Sequence, residues 1–128
     1  MNNNELEDIA KNLIKTTELA GKKSIEIQEQ GLKIITKPDN SPVTNGDLEV
    51  NKMITEKIKN LTPNIPIISE ETVDLKKKNT LKTFWLIDPI DGTKEYIAGK
   101  DEYTINAALV LNYVPTIGLL GAPTKNRL

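Results

Sequence analysis

The 128-residue chain contains no cysteine and no histidine. Their absence excludes disulfides, thiol nucleophiles, the usual zinc ligand sets and every histidine-based triad. Arginine is nearly missing as well, since Arg127 is the single guanidinium among 17 basic residues. Bidentate guanidinium recognition of phosphate is therefore almost closed off. The 17 cations stand against 18 anions, so no basic footprint for a nucleic acid polymer exists. No apolar run approaches the roughly 20 residues that a membrane-spanning helix needs, and no transmembrane segment is expected. Met1-Asn2-Asn3-Asn4-Glu5 is polar and acidic, unlike a signal or transit peptide. These features point to a cytoplasmic protein, with a peripheral place on the inner membrane face as the other location left open. Chemistry must rest on carboxylates, hydroxyls, lysine, backbone groups and a hard, oxygen-seeking cation.

What is present suits one domain with a core of its own. Leu6, Ile9, Leu13, Thr17, Ala20, Ser24 and Ile27 recur at spacings of three and four, the face of a long helix. Asn4 is expected to cap it and Gly31 to stop it, and the small Ala20 and Ser24 suggest close approach to another element. A short strand over Leu32 to Thr36 follows, then a loop over Lys37 to Pro42. A second helix is expected from about Asn45 to Asn60, buried along Val50, Ile54, Ile58 and Leu61. Thr44 and Asp47 have capping-box spacing, with Asp in place of Glu. Further strands are expected at Ile65 to Ile68, Phe84 to Ile87, Tyr103 to Leu111 and Thr116 to Leu120. Asn112 and Tyr113 stand at hairpin distance between the last two. Lys76-Lys77-Lys78-Asn79 reads as a solvated loop. This order predicts an α+β fold of layered helices and a mostly antiparallel sheet.

The densest chemistry lies in Trp85-Leu86-Ile87-Asp88-Pro89-Ile90-Asp91-Gly92-Thr93-Lys94-Glu95, where an apolar strand runs into carboxylates, a proline and a glycine. Glu70 and Glu71 end the preceding strand, and Asp47 lies in the first turn of a helix. Strand ends can pool carboxylates at one rim of a sheet, where oxygen ligands suit Mg²⁺. Metal-activated displacement at phosphorus is the chemistry such a rim supports. Each residue also has a plain structural reading. Asp47 and Asp91 can be helix caps, Glu70-Glu71 a solvated strand end, and Thr93 a first-turn hydroxyl. Trp85, Tyr96 and Tyr103 read as packing and Lys94 as solvated. The conjunction is what favours a metal site.

Trp85 to Thr93 resembles the signature of the inositol monophosphatase superfamily of Mg²⁺-dependent, lithium-sensitive phosphatases. Ile67-Ile68-Ser69-Glu70-Glu71 and Ser41-Pro42-Val43-Thr44-Asn45-Gly46-Asp47 resemble two further motifs of that family, in family order. Gly92-Thr93-Lys94-Glu95-Tyr96, Glu102 to Asn106 and Gly118 to Pro123 are similar to the 3′(2′),5′-bisphosphate nucleotidase branch. The resemblance implies two or three Mg²⁺ ions held by Glu70, Asp88, Asp91 and the Ile90 carbonyl. It implies that Ile90, Asp91, Gly92 and Thr93, with Glu70, line the phosphate site. Asp47, Glu70 and Thr93 are implied as the catalytic residues, Thr93 and Asp47 orienting or deprotonating the attacking water, and Glu71 as a supporting neighbour. The implied substrate is a small phosphorylated molecule, 3′-phosphoadenosine 5′-phosphate, cleaved to AMP and phosphate. An inositol or sugar phosphatase, or an inactive remnant, are the alternatives. Members of the family continue into a second α/β half that carries another metal-binding Asp, so residues 1–128 are expected to be an N-terminal metal-binding domain. A homodimer or a complementing C-terminal half are the protein partners this leaves open.

Overall fold

A computed structural model describes residues 1–69 and 81–123. Helix α1, Asn3–Gln30, is stopped by Gly31 as expected, but Asn2 rather than Asn4 caps it, its side chain accepting from the Glu5 N–H. The helix starts earlier because Asn2 already offers an acceptor three residues before a free backbone donor. Its buried side is Ile9, Leu13, Thr17, Ala20, Gly21, Ser24 and Ile27, the expected stripe with Leu6 only partly covered.

Strand β1, Ile34–Thr36, pairs antiparallel with β2, Pro42–Thr44. The second strand falls partly in the expected loop. Pro42 opens it, where a missing N–H costs least, and Asn40 turns the chain at φ 68°. Helix α2, Asn45–Leu61, begins directly at the end of β2 and buries Val50, Ile54 and Ile58.

Four strands form the main sheet in the order β3-β4-β5-β6: Ile67–Ser69, Phe84–Asp91, Thr104–Leu111 and Val114–Gly121. The β3–β4 pair is parallel and the other two are antiparallel. Asn112 and Tyr113 turn between β5 and β6 with φ 48° and 68°, the left-handed pair that a two-residue hairpin demands. A five-residue helix α3, Thr93–Ile97, lies between β4 and β5. Lys76 to Asn79 lie outside the described residues, as do Glu70 and Glu71.

Alternation on β5 shows how the sheet is used. Ile105, Ala107 and Leu109 are buried while Asn106 and Ala108 are partly open. The inward residues join Trp85 and Ile87 of β4 in one core with Leu13 of α1 and Ile54 and Ile58 of α2. The Trp85 Nε1–H donates to Thr62 Oγ1 at 3.0 Å, which satisfies the polar edge of the largest core side chain. Among the described residues no helix is long and apolar enough to cross a membrane.

Ile54 has no exposed surface and Leu19 is 58% exposed. Ile54→Ala is expected to lower the unfolding free energy by about 2–5 kcal/mol, and Leu19→Ala by no more than about 0.5 kcal/mol. Urea denaturation of both variants measures the contrast. Equal losses would place the core elsewhere.

Candidate active site

The strand expected to end at Ile87 runs on to Asp91, and its last residues carry the site. Through Asp88 the pairing with β5 is regular, Asp88 facing Asn106. The next pair is Asp91 with Thr104, so β4 spends three steps where β5 spends two. This is a bulge, with one extra residue on β4, and Pro89 lies within it. Proline has no N–H for the ladder and is tolerated where the ladder breaks. The consequence is visible in burial. Pro89 and Ile90 are buried in succession, whereas Asp91 emerges exposed. Asp88 is partly buried, with its Oδ1 withdrawn from solvent.

Gly92 follows with φ 94°, and a side-chain carbon there would meet the Glu102 carbonyl at 2.9 Å. Only glycine fits both restraints. Gly92, not Asp91, is the N-cap of α3, and its carbonyl accepts from the Tyr96 N–H at 3.0 Å. Asp91 is thereby excluded as a simple helix cap.

Thr93 is the first residue of α3, and its Oγ1–H reaches across to α2. Asp47 Oδ1 lies 2.9 Å from this oxygen, and the Ile90 carbonyl lies 3.3 Å from it. One hydroxyl proton serves one acceptor best, and the nearer, charged acceptor is the stronger. Asp47 itself is fully buried. Its Oδ2 accepts from the Thr44 N–H at 2.9 Å and from the Thr44 hydroxyl. Thr44 Oγ1 in turn accepts from the Asp47 N–H at 3.2 Å. The capping box is thus formed as its spacing suggests, and Asp47 is a cap and a partner of Thr93 at once.

The structure therefore joins Asp47 to Thr93 and sets both beside the bulge bearing Asp88, Ile90 and Asp91. Glu70 lies outside the described residues, so its relation to them is not described. Among the described residues no group of three or more acidic side chains is close enough to hold a metal ion. The donors at the strand end are nonetheless all oxygen, two carboxylates and a carbonyl, which is the set a hard cation such as Mg²⁺ takes.

The partners of several supporting residues escape a reading of the sequence. Asn51, one turn beyond Asp47, accepts from the Ser69 hydroxyl at 2.6 Å and so ties α2 to the end of β3. Its signal is a polar residue within a buried helical stripe. Ser24 shows the same signal, and its carbonyl accepts from the Tyr96 hydroxyl at 2.6 Å. Its hydroxyl shares a bond of 2.9 Å with the Tyr103 hydroxyl. Tyr96 and Tyr103 stand edge to face at 4.7 Å between ring centres, so both are packing residues, as is Trp85, while Lys94 is exposed.

Burial raises the Tyr96 phenol, assisted by Tyr103 and Asp47, and burial likewise raises Tyr103 above its ordinary 10.0. Unfolded phenols ionise near pH 10 while the folded ones stay neutral. Stability from these groups is therefore complete below about pH 10 and falls as pH rises toward the raised folded values. Urea midpoints from about pH 9 to 11 should drop in the native chain, and less steeply in Tyr96→Phe. Parallel slopes would remove the phenol as the cause.

The chain is similar to known proteins in sequence and in fold. The sequence profile of the inositol monophosphatase family matches residues 3–128. The chain is 35% identical over 117 residues to the 3′(2′),5′-bisphosphate nucleotidase CysQ of Aggregatibacter actinomycetemcomitans, covering 90% of this chain and 44% of that protein. It is 38% identical over 94 residues to CysQ of Escherichia coli K12, covering 73% and 38%. It thus spans less than half the length of these relatives. The structure of CysQ from Bacteroides thetaiotaomicron superposes with a TM-score of 0.63 at 34% identity, over 91% of this chain and 43% of that one. Staphylococcal inositol monophosphatase-1 superposes at 0.83 with 20% identity, over 94% and 46%, a likeness of fold. With its α+β architecture and its matched profile, the chain belongs to the inositol monophosphatase family.

Proposed function

We propose that this chain forms the metal- and phosphate-handling part of a Mg²⁺-dependent phosphomonoesterase of the 3′(2′),5′-bisphosphate nucleotidase type. The observation that carries the reading is the 2.9 Å bond from Thr93 to the buried Asp47, set directly after the strand end that presents Asp88 and Asp91. A carboxylate shut off from water and aimed at a hydroxyl is a proton acceptor already in place. Asp88, Asp91 and the Ile90 carbonyl would hold Mg²⁺, with Glu70, outside the described residues, as the further carboxylate that the family resemblance implies. When bound, Mg²⁺ supplies charge neutralisation at the phosphoryl oxygens and a more acidic water.

The chain's own residues have separate tasks. Gly92 and Thr93 offer N–H groups to the phosphate, and the positive φ of Gly92 lets the backbone approach it. Thr93 accepts a hydrogen bond from the attacking water while donating to Asp47, and the water's proton passes through Thr93 to the carboxylate. In-line attack then forms the new phosphorus–oxygen bond as the ester oxygen leaves with the bonding pair. The departing oxygen takes up a proton to give the alcohol, so the products are phosphate and a dephosphorylated nucleotide. Similarity to the named nucleotidases supports this substrate class, and the Lys94-Glu95-Tyr96 run agrees with it. Supporting Mg²⁺ use, a fold relative described as an inositol monophosphatase/NADP phosphatase is complexed with Mg²⁺ and phosphate.

The test is Mg²⁺-dependent phosphate release from 3′-phosphoadenosine 5′-phosphate, with inositol monophosphate beside it. It is run on this chain and on one extended to the length of its relatives. Asp88→Asn is expected to abolish release, and Thr93→Ala to lower kcat by about 10²–10⁴-fold. Release from inositol monophosphate alone would move the substrate class, and no release from either by the extended chain would end the phosphatase reading.

A further inference from the structure

We propose that Tyr96 is the positioning residue for the Asp47–Thr93 pair, a wedge that fixes the two helix starts against each other. This assignment rests on reading Asp47 and Thr93 as the proton-handling pair. Tyr96 has no exposed surface and follows Thr93 by three residues, one turn along α3. Its ring lies against Gly46, the residue immediately before Asp47. A side-chain carbon at Gly46 would fall 2.7 Å from Tyr96 Cε2 and 2.8 Å from Cζ, and closer still to the hydroxyl. Glycine at 46 is thus required by this approach, and the ring fills the space where any side chain would go.

The ring is held from behind as well. Its hydroxyl donates to the Ser24 carbonyl of α1 at 2.6 Å. The Gln28 Nε2–H donates to the Tyr96 backbone carbonyl at 2.8 Å. Two points on α1 therefore clamp the residue whose ring abuts the start of α2. Helix α3 is only five residues long, and the bonds at its ends run from the Tyr96 N–H to the Gly92 carbonyl and from the Ala98 N–H to the Lys94 carbonyl, each at 3.0 Å. The placement of Thr93 is consequently set by what holds Tyr96. Loss of the hydroxyl frees the ring to move off α1, and Thr93 turns with it relative to Asp47.

Tyr103 provides a control within the same cluster. Its hydroxyl makes a comparable buried bond to Ser24 Oγ, but the groups that meet a carbon at Gly46 come from Tyr96. A purely structural role would make Tyr96→Phe and Tyr103→Phe equivalent. The experiment compares the free 128-residue chain and these variants by ¹³C NMR of the Thr93 methyl and Asp47 carboxyl carbons. Amide exchange is followed alongside. Tyr96→Phe should shift both carbon signals and speed exchange at residues 96 and 98 on the order of tenfold relative to Leu13. Tyr103→Phe should leave both carbon signals in place while lowering the urea midpoint.

Gln28→Ala, which removes only the bond to the Tyr96 carbonyl, is the milder second variant and should move Thr93 in the same direction. Equal shifts in the two tyrosine variants, or none in Tyr96→Phe and Gln28→Ala, would overturn the proposal. Adding Mg²⁺ to the unsubstituted chain separates the two readings. Silence of the Asp88 and Asp91 carboxyl signals there and in the chain extended to the length of its relatives counts against the phosphatase reading, whereas the wedge stands or falls on the metal-free spectra.

Discussion

A carboxylate with no access to water must find donors inside the protein, and Asp47 is such a carboxylate. It finds them at Thr44, the end of β2, and at Thr93, the start of α3. Thr93 lies 46 positions along the chain from Asp47, and satisfying one side chain draws the two segments together. The same helix carries Asn51 to Ser69 at the end of β3. Helix α2 is thereby pinned by polar bonds at both strand ends that precede candidate site residues. The apolar stripe of Val50, Ile54 and Ile58 supplies adhesion, while the polar bonds supply register.

The other half of the arrangement is a controlled break in regularity. A strand with perfect alternation would send successive side chains to opposite faces of the sheet. The bulge in β4 breaks that rule at Pro89, so Ile90 goes into the core and Asp91 goes out to solvent. Gly92 then turns the chain at a backbone angle other residues avoid, against the Glu102 carbonyl. Without these steps the carboxylates would remain on a flat sheet face. With them, the strand end leads directly into the hydroxyl that meets Asp47.

Membership of the inositol monophosphatase family gives this geometry its context, because the similarity runs through 90% of the chain in a nucleotidase relative. The relatives are more than twice as long as the matched segment, and the chemistry proposed for the present residues is the share that this segment can carry. That share is oxygen ligation, phosphate approach and proton transfer. Each depends on short-range placement of backbone and side chains around one strand end.

Local pattern alone determined much of this protein. The stripe of α1, the capping box of α2, the left-handed hairpin at Asn112-Tyr113 and the apolar run of β4 all follow from contacts between residues a few positions apart. The Asp-Pro-Ile-Asp-Gly run was legible for the same reason. Short-range rules also misplaced some features. Asn2 displaced Asn4 as the cap, Pro42 opened a strand, and β4 continued beyond Ile87, the last because pairing with β5 outweighs a proline that the bulge can absorb. Only the tertiary structure decided that Asp47 meets Thr93, that Asn51 meets Ser69 and that Tyr96 rests on Gly46. Those contacts join residues far apart in the chain, and no local periodicity encodes a distance that exists only once helices and sheet have packed.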